Sequence, residues 1–217
     1  TETRELFSVS SQHYAFVVNA FVSLLKRADM TRYELFLRET RTYEIIEDVK
    51  NFRSEIGVLF LNGYNRDVLT KMFDDNRLTY TSLFKARPHI FVSKSNPLAK
   101  HKVVSLEDLE DFPYLSYDQG IHNSFYYSEE ILSQIPHKKS IVVSDRATLF
   151  NLLIGLDGYT IATGILNSNL NGDNIVSIPL DVDDEIDIVY LKHEKATLSK
   201  MGEKFLDNLV KEVTFDN

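Results

Sequence analysis

The chain reads Ile56-Gly57-Val58-Leu59-Phe60-Leu61-Asn62-Gly63 just after its first quarter. A run that is apolar in nearly every position and ends at a polar turn is typical of a parallel strand covered on both faces. Just before it, apolar residues recur at helical spacing; they are Tyr43, Ile45, Ile46, Val49 and Phe52. This pattern predicts a helix that leads into a buried strand.

The same alternation extends to both sides of this strand. Residues 6–10 form a short β-like run, residues 14–25 carry a helical apolar stripe, and residues 33–37 alternate as a half-buried strand does. Another helical face follows at residues 68–73. The first 75 residues therefore read β-α-β-α-β-α, which predicts a parallel sheet with right-handed crossovers.

The second part of the chain begins with two strands in succession, at residues 78–84 and 87–94, and then alternates again. The predicted elements are a short helix at 106–109, a strand at 114–116, a helix at 125–135, strands at 140–144 and 159–163 around a helix at 147–156, strands at 175–179 and 186–191, and a closing helix from 201 to 213. The sequence thus predicts an α/β protein of two Rossmann-like lobes. We place lobe I at residues 1–87 plus 193–217 and lobe II at residues 88–192.

Composition excludes several classes of protein. Among 217 residues there are 24 Lys and Arg, 32 Asp and Glu, a net charge of −8 and no Cys. Without Cys there is no disulfide scaffold, thiolate nucleophile, Fe–S cluster or Cys-based zinc site. The acidic balance lacks a basic block and matches bare nucleic acid poorly. The longest mostly apolar stretch, residues 15–25, is shorter than the roughly 20 residues that span a bilayer.

No motif for catalysis or for a cofactor is present in the sequence. The six His residues have no metal-binding spacing, and neither a Gly-x-Ser-x-Gly elbow, a P-loop nor a Gly-x-Gly-x-x-Gly fingerprint occurs. The acidic run at residues 181–185 lacks the glycine and the spacing of an EF-hand, so we interpret it as a solvated turn. We therefore predict no enzyme activity, no cofactor and no metal.

Polar turns follow several of the predicted strands. In open α/β sheets, ligands bind outside the carboxyl ends of strands, and free N–H groups at helix N-termini suit a small anion. The candidate ligand residues at these turns are Ser10, Ser11, Gln12, Asn62, Asp118, Ser144, Arg146 and Thr163. Plain helix capping is the alternative explanation for each turn taken alone.

Several segments resemble LysR-type transcriptional regulators. Residues 87–99 are similar to the family's strand that ends in Asn96-Pro97-Leu98-Ala99, and Ser105-Leu106-Glu107-Asp108-Leu109 follows as it does in the family. Residues 54–58 match the segment around a buried strand, and residues 144–153 and 155–165 match a later one. The usual closing Pro is missing from residues 155–164, so the backbone there is expected to differ.

This resemblance implies an effector-binding domain of two lobes with a central cleft, similar to type 2 periplasmic binding proteins. The expected partners are a small, anionic effector in the cleft and a second copy of the chain, giving a homodimer, or a tetramer in the full-length protein. DNA would be bound only by a winged helix-turn-helix domain preceding Thr1, in the cytoplasm and without a membrane.

In the family the dimer interface uses the first helix and second strand, here residues 14–26 and 33–39. Phe16, Phe21 and Phe36 in these elements could equally be plain core. An extracytoplasmic solute-binding protein with the same lobes, cut at a signal site, is the alternative function.

Overall fold

The computed structural model describes residues 4–27, 31–166 and 172–214. The chain forms two compact units. Unit 1 comprises Thr1–Leu59, Asp67–Phe84 and Ile188–Asn217, and unit 2 comprises Phe60–Arg66 and Lys85–Asp187. The lobe boundaries given above stay a prediction.

Helices and strands alternate over most of the chain, as the sequence predicts. In chain order they are β1 (Glu5–Ser11), α1 (Ala15–Arg27), β2 (Tyr33–Glu39), α2 (Thr42–Lys50), β3 (Ile56–Leu61), α3 (Arg66–Asp75), β4 (Leu78–Ala86), β5 (His89–Ser93), β6 (Tyr114–Tyr117), β7 (Ser140–Val143), α4 (Arg146–Leu156), β8 (Thr160–Ala162), β9 (Ile175–Pro179), β10 (Ile186–His193) and α5 (Lys200–Thr214). Short 3-10 helices lie at Pro97–Lys100, Glu107–Leu109 and Phe125–Tyr127.

Unit 1 is built on a five-stranded sheet in the order β2-β1-β3-β10-β4. Strand β1 pairs in parallel with both β2 and β3, and every residue of β3 is buried. On one face, the ring of Phe7 lies 5.8 Å from both Phe21 of α1 and Phe205 of α5. On the other face lies α2, close enough that a Cβ on Gly57 would meet the side chains of Ile45 and Val49 at 2.9 Å. The sheet is therefore covered by helices on both faces.

Unit 2 contains a parallel pair, β6-β7, and a three-stranded antiparallel sheet, β8-β5-β9. A parallel bridge between Tyr114 and Tyr159 places β8 beside β6. The hydroxyl of Thr160 also donates to the carbonyl of Leu115, at 2.9 Å. The core of this unit packs α4 against the strands through a cluster of buried residues, which are Phe91, Leu115, Val143, Leu149, Leu153 and Ile175.

The predicted helix at residues 125–135 is wrong, because only Phe125–Tyr127 forms a short 3-10 helix. Leu132 has a positive φ of 61°, which a right-handed helix does not accommodate. The carboxylates of Glu129 and Glu130 accept hydrogen bonds from Gln119 and from the backbone of Tyr117. Tertiary polar contacts therefore hold this segment where apolar periodicity indicated a helix.

The aromatic residues of the first lobe also differ in their positions. Phe52 lies beyond the end of α2, with a φ of 59°, although its spacing predicts the helical face. Phe16 and Phe21 are buried in the core, whereas Phe36 is 40% exposed on β2, the edge strand of the sheet. The core interpretation is therefore correct for Phe16 and Phe21 only.

Candidate functional site

The first group of candidate residues lies where β1 ends, just before α1. Ser10, Ser11 and Gln12 are all buried, at 0%, 0% and 1% exposure. The backbone N–H of Gln12 donates to the carbonyl of Val58, so this turn lies beside the parallel strand β3. The helix α1 begins three residues later. The structure thus places this polar group at the carboxyl end of a parallel strand and next to a helix N-terminus.

Ser10 belongs to a hydrogen-bonded group on the α2 side of the sheet. Its hydroxyl donates to Oδ2 of Asp48 at 2.7 Å and lies 2.7 Å from the hydroxyl of Ser54. Nη1 of Arg38 donates to the same Ser54 hydroxyl at 3.2 Å. No local sequence pattern indicated Asp48, Ser54 or Arg38 as partners, because the bonded residues are 16 to 44 positions apart in the chain.

Gln12 is held by two side chains of the same unit. Its Nε2 donates to the hydroxyl of Thr42 at 2.8 Å, and its Oε1 accepts from the hydroxyl of Tyr14 at 2.6 Å. The hydroxyl of Ser11 donates to the carbonyl of Gln12 at 2.7 Å. These bonds fix the amide and leave little freedom for its rotamer, as expected of a preorganised polar group.

In unit 2, three candidate residues follow neighbouring parallel strands. The strands β7, β6 and β8 lie side by side, and Ser144, Asp118 and Thr163 come directly after their carboxyl ends. The N–H of Asp118 donates to the carbonyl of Val143, which joins two of these turns. The structure therefore brings together, at one edge, three polar positions that the sequence separates by up to 45 residues.

These side chains also close their own turns. Oδ1 of Asp118 accepts from the N–H of Gly120 at 2.8 Å, and the hydroxyl of Thr163 accepts from the N–H of Ile165 at 3.3 Å. Gly164 has a φ of 80° and lies against the ring of His89, where a Cβ would come within 2.5 Å. This turn, which lacks the usual Pro, therefore needs glycine.

The helix α4 begins directly after Ser144. Asp145 caps it, because its Oδ2 accepts from the N–H of Thr148 at 2.9 Å. Arg146 is half-buried at the first helical position, and the exposed hydroxyl of Ser144 has no hydrogen-bond partner among the described residues. Of these residues Ser144 has the side chain that is most available to a ligand.

Asn62 forms the turn between β3 and α3. Its Oδ1 accepts from the N–H groups of Tyr64 and Asn65, at 3.2 and 3.0 Å, and its Nδ2 donates to Oδ2 of Asp184 at 3.1 Å. The ring of Tyr64 stacks on that of Tyr126, with centroids 4.6 Å apart. Partial burial and the neighbouring Tyr126 raise the pKa of Tyr64.

A buried carboxylic acid lies next to the loop of Asp118. Glu130 is 4% exposed and accepts from the N–H of Tyr117 at 3.1 Å. Burial raises the pKa of the Glu130 carboxyl well above its ordinary value, and the charge of Glu129 raises it further. The hydroxyl of Tyr114, which is also buried, has its pKa raised by burial and by Glu130. Nothing in the sequence pattern indicated this group.

The residues that the structure describes form neither a metal-binding cluster nor a membrane-spanning helix. Within residues 4–27, 31–166 and 172–214, no group of three or more His, Asp or Glu side chains could hold a metal ion. In the same part of the chain no helix has the length and apolar character needed to cross a membrane.

Comparison with solved structures identifies the fold. The reduced OxyR regulatory domain from Pseudomonas aeruginosa has a TM-score of 0.67 at 12% identity, with 95% of this chain and 98% of that chain covered. The BenM effector binding domain with its effector benzoate has a TM-score of 0.63 at 16% identity, with 100% and 95% covered. The effector binding domain of QuiR in complex with shikimate has 0.62 at 15%, with 96% and 97% covered. The chain thus has the two-lobed α/β fold of these domains, which is similar to that of periplasmic binding proteins.

The sequence match shows the family. The family model described as the LysR substrate binding domain matches residues 11–214, which is nearly the whole chain. This chain therefore belongs to the LysR substrate-binding domain family, as its Asn-Pro-Leu-Ala and Ser-Leu-Glu-Asp-Leu segments indicated. A search of curated proteins finds no match.

Proposed function

We propose that this chain is the effector-sensing domain of a LysR-type transcription factor and has no enzymatic activity of its own. A small anionic metabolite binds between the lobes, at the carboxyl ends of β1, β3, β6, β7 and β8. The ligand residues are the eight named from the sequence: Ser10, Ser11, Gln12, Asn62, Asp118, Ser144, Arg146 and Thr163. The observation that carries this proposal is the placement of Asp118, Ser144 and Thr163 at one edge of three parallel strands, where open α/β sheets bind ligands.

Binding of the effector changes how the copies of the chain assemble. Effector binding favours closure of the lobes, and closure alters a homodimer interface formed by α1 and the edge strand β2, within a tetramer in the full-length protein. Such coupling needs about 1–3 kcal/mol of difference in affinity between the two states. DNA is bound in the cytoplasm by a separate winged helix-turn-helix domain. The exposure of Tyr33 on β2, at 50%, supports this surface as an interface.

A thermal-shift screen tests the proposal. The panel contains benzoate, shikimate, amino acids, sulfate and phosphate, added to the whole chain. A ligand at 100 times its Kd stabilises the folded state by about 2.7 kcal/mol, which raises Tm by roughly 5–11 °C for a chain of this size. We expect at least one carboxylate to give such a shift. A panel with no shift contradicts the proposal.

Two serine variants then test the position of the site. Ser144→Ala removes an exposed hydroxyl that the fold does not use, and Ser11→Ala removes a buried one. Because a hydrogen bond to a charged group contributes about 1.5–3 kcal/mol, each variant should raise the Kd of the ligand at least tenfold. Ser140→Ala, at the opposite end of β7 and equally exposed, is the matched control. Unchanged affinity in both test variants would show that the site is elsewhere.

The coding sequence upstream of Thr1 distinguishes the regulator from the transport alternative. A winged helix-turn-helix segment there is expected, whereas a signal peptide or lipobox would contradict a cytoplasmic regulator. The match to the LysR family model favours the regulator.

A further inference from the structure

In unit 1, α2 is too short to cover the sheet face on which it packs. Its nine residues extend about 14 Å at 1.5 Å per residue, whereas the seven residues of β1 extend about 23 Å. The helix begins near the carboxyl end of β2 and is shorter than the strands. It therefore ends before it reaches the amino-terminal parts of β1 and β2, which stay uncovered on this face. Leu6 and Phe36 are accordingly 63% and 40% exposed.

A cavity of about 370 Å³ lies over this uncovered part of the sheet. Its volume falls within the roughly 300–1,000 Å³ that is usual for small-molecule sites. Its walls include Leu6, Phe36 and Phe52, and all of its lining residues belong to unit 1. The cavity lies on the α2 face, opposite α1 and α5. It borders the hydrogen-bonded group of Ser10, because Arg38 and Ser54 belong to both. Its lining includes none of the eight candidate ligand residues.

Arg38 brings a positive charge to this cavity. Its guanidinium carbon lies 4.9 Å from the centroid of the Phe36 ring. Nη1 donates to the carbonyl of Arg53 at 3.3 Å and to the hydroxyl of Ser54 at 3.2 Å. Nη2 and Nε have no hydrogen-bond partner among the described residues. Since two adjacent guanidinium N–H groups match the two oxygens of a carboxylate, this edge of Arg38 fits an organic acid.

His193 supplies a second donor in the same cavity. The side chain is 8% exposed and lines the cavity. Its Nδ1 accepts from the N–H of Lys195 at 3.1 Å, so the proton of the neutral ring is on Nε2. Nε2 has no partner among the residues that the structure describes. This buried ring therefore offers an unused N–H donor.

Phe52 forms an aromatic wall at an unusual backbone position. It follows α2 with a φ of 59°, a conformation that glycine adopts readily and a bulky side chain does not. Its ring is 64% exposed and lies 4.5 Å from the ring of His193. The protein thus holds an exposed aromatic ring beside the cavity at a backbone position that favours glycine.

We propose that this cavity is a second ligand site, for a small organic anion with an apolar body. The carboxylate is bound by Arg38 and by Nε2 of His193, and the apolar body packs on Leu6, Phe36 and Phe52. The other charged lining residues are already paired: Nε of Arg53 lies 3.9 Å from Asp48, and Glu55 accepts from the N–H and hydroxyl of Ser199, at 2.6 and 3.0 Å.

Calorimetric titration of the whole chain with phenylacetate tests this site. We expect phenylacetate to bind and the neutral phenylacetamide to bind at least tenfold more weakly. Arg38→Gln should raise the Kd of phenylacetate at least tenfold. Arg27→Gln, at the exposed end of α1, is the matched control and should leave it unchanged. Equal binding of the acid and the amide, or equal affinity in Arg38→Gln and the original chain, overturns the proposal.

The variant Phe52→Gly distinguishes an effect on ligand binding from an effect on the stability of the fold. Glycine accommodates the positive φ, so this variant should have an equal or higher Tm, and yet it should bind phenylacetate more weakly because the aromatic wall is gone. Unchanged affinity would overturn the proposal.

Ser144→Ala distinguishes the two sites. It should leave phenylacetate binding unchanged, and Phe52→Gly should leave the thermal shift of the effector unchanged. Loss of phenylacetate binding in Ser144→Ala but not in Arg38→Gln would place the probe at the strand ends, overturning the second site and leaving the proposed function intact. Sedimentation at two protein concentrations tests the remaining possible occupant, a second copy of the chain. A change of oligomeric state in Phe52→Gly, which lies outside α1 and β2, would make this face an interface between copies and overturn the proposal.

Discussion

Replacing the buried Glu130 by Gln should change how the stability of the protein depends on pH. Burial and the charge of Glu129 raise the pKa of the Glu130 carboxyl in the folded protein, whereas in the unfolded chain a Glu titrates near about 4.3. Between these two pKa values the folded protein holds one proton more than the unfolded chain. The free energy of unfolding therefore falls as the pH rises, by at most about 1.4 kcal/mol per pH unit.

The Glu130→Gln variant should not show this fall in the free energy of unfolding. Gln has no proton to release, and its Oε1 can still accept from the N–H of Tyr117, as Glu130 does at 3.1 Å. The free energy of unfolding of Glu130→Gln should therefore rise relative to that of the original chain as the pH increases above about 4.3. At 2–4 °C per kcal/mol, the gap in Tm should widen by roughly 3–6 °C per pH unit until the folded pKa is reached.

Urea unfolding followed by circular dichroism at pH 5, 6, 7 and 8, at constant ionic strength, measures the difference in the free energy of unfolding, and thermal melts under the same conditions measure the difference in Tm. Glu194→Gln, on the exposed surface, is the control and should give no widening. If the two stability curves of Glu130→Gln and the original chain run parallel from pH 5 to 8, Glu130 is ionised in the folded protein throughout and the reasoning is refuted.

Two further substitutions test how α2 and α4 are held. Gly57→Ala places a methyl group 2.9 Å from two side chains of α2 and should lower the free energy of unfolding, measured in urea, by about 1–3 kcal/mol. Gly63→Ala is the control, because its methyl group meets open space, and it should change the free energy of unfolding by less than about 0.5 kcal/mol. Equal effects of the two substitutions would contradict this packing. Asp145→Ala removes the cap that accepts from the N–H of Thr148 and should lower the stability by about 1 kcal/mol. In the same assay Asp145→Asn keeps an acceptor and should retain most of the stability; an equal loss in both would show that the cap contributes little.

The alternation of helices and strands was predictable because it depends on the local periodicity of apolar residues. The run from Ile56 to Leu61 predicts a parallel strand buried on both faces, and every residue of β3 is buried. Periodicity failed at residues 125–135 and at Phe52. In the first case, distant polar partners of Glu129 and Glu130 determine the conformation. In the second, a positive φ ends α2 without the glycine that usually marks such a position.

The candidate site was predictable only in part. Polar turns after strands are visible in the sequence, and the structure places Asp118, Ser144 and Thr163 at one edge. Pairings across long sequence separations are not visible, because no local pattern links Ser10 to Asp48 or Asn62 to Asp184. The cavity beneath Phe52 depends on how far α2 reaches over the sheet, which requires both the length of the helix and the register of the strands.

The strand order of unit 1 has a consequence for synthesis on the ribosome. Strand β10 is the last of the chain, yet it lies between β3 and β4 in the middle of the sheet. Until it emerges, the apolar strand β3 has a bare edge, and such edges promote association between chains. We therefore expect nascent or truncated chains that end before Ile186 to depend on chaperones, while the nearly continuous unit 2 completes its fold first.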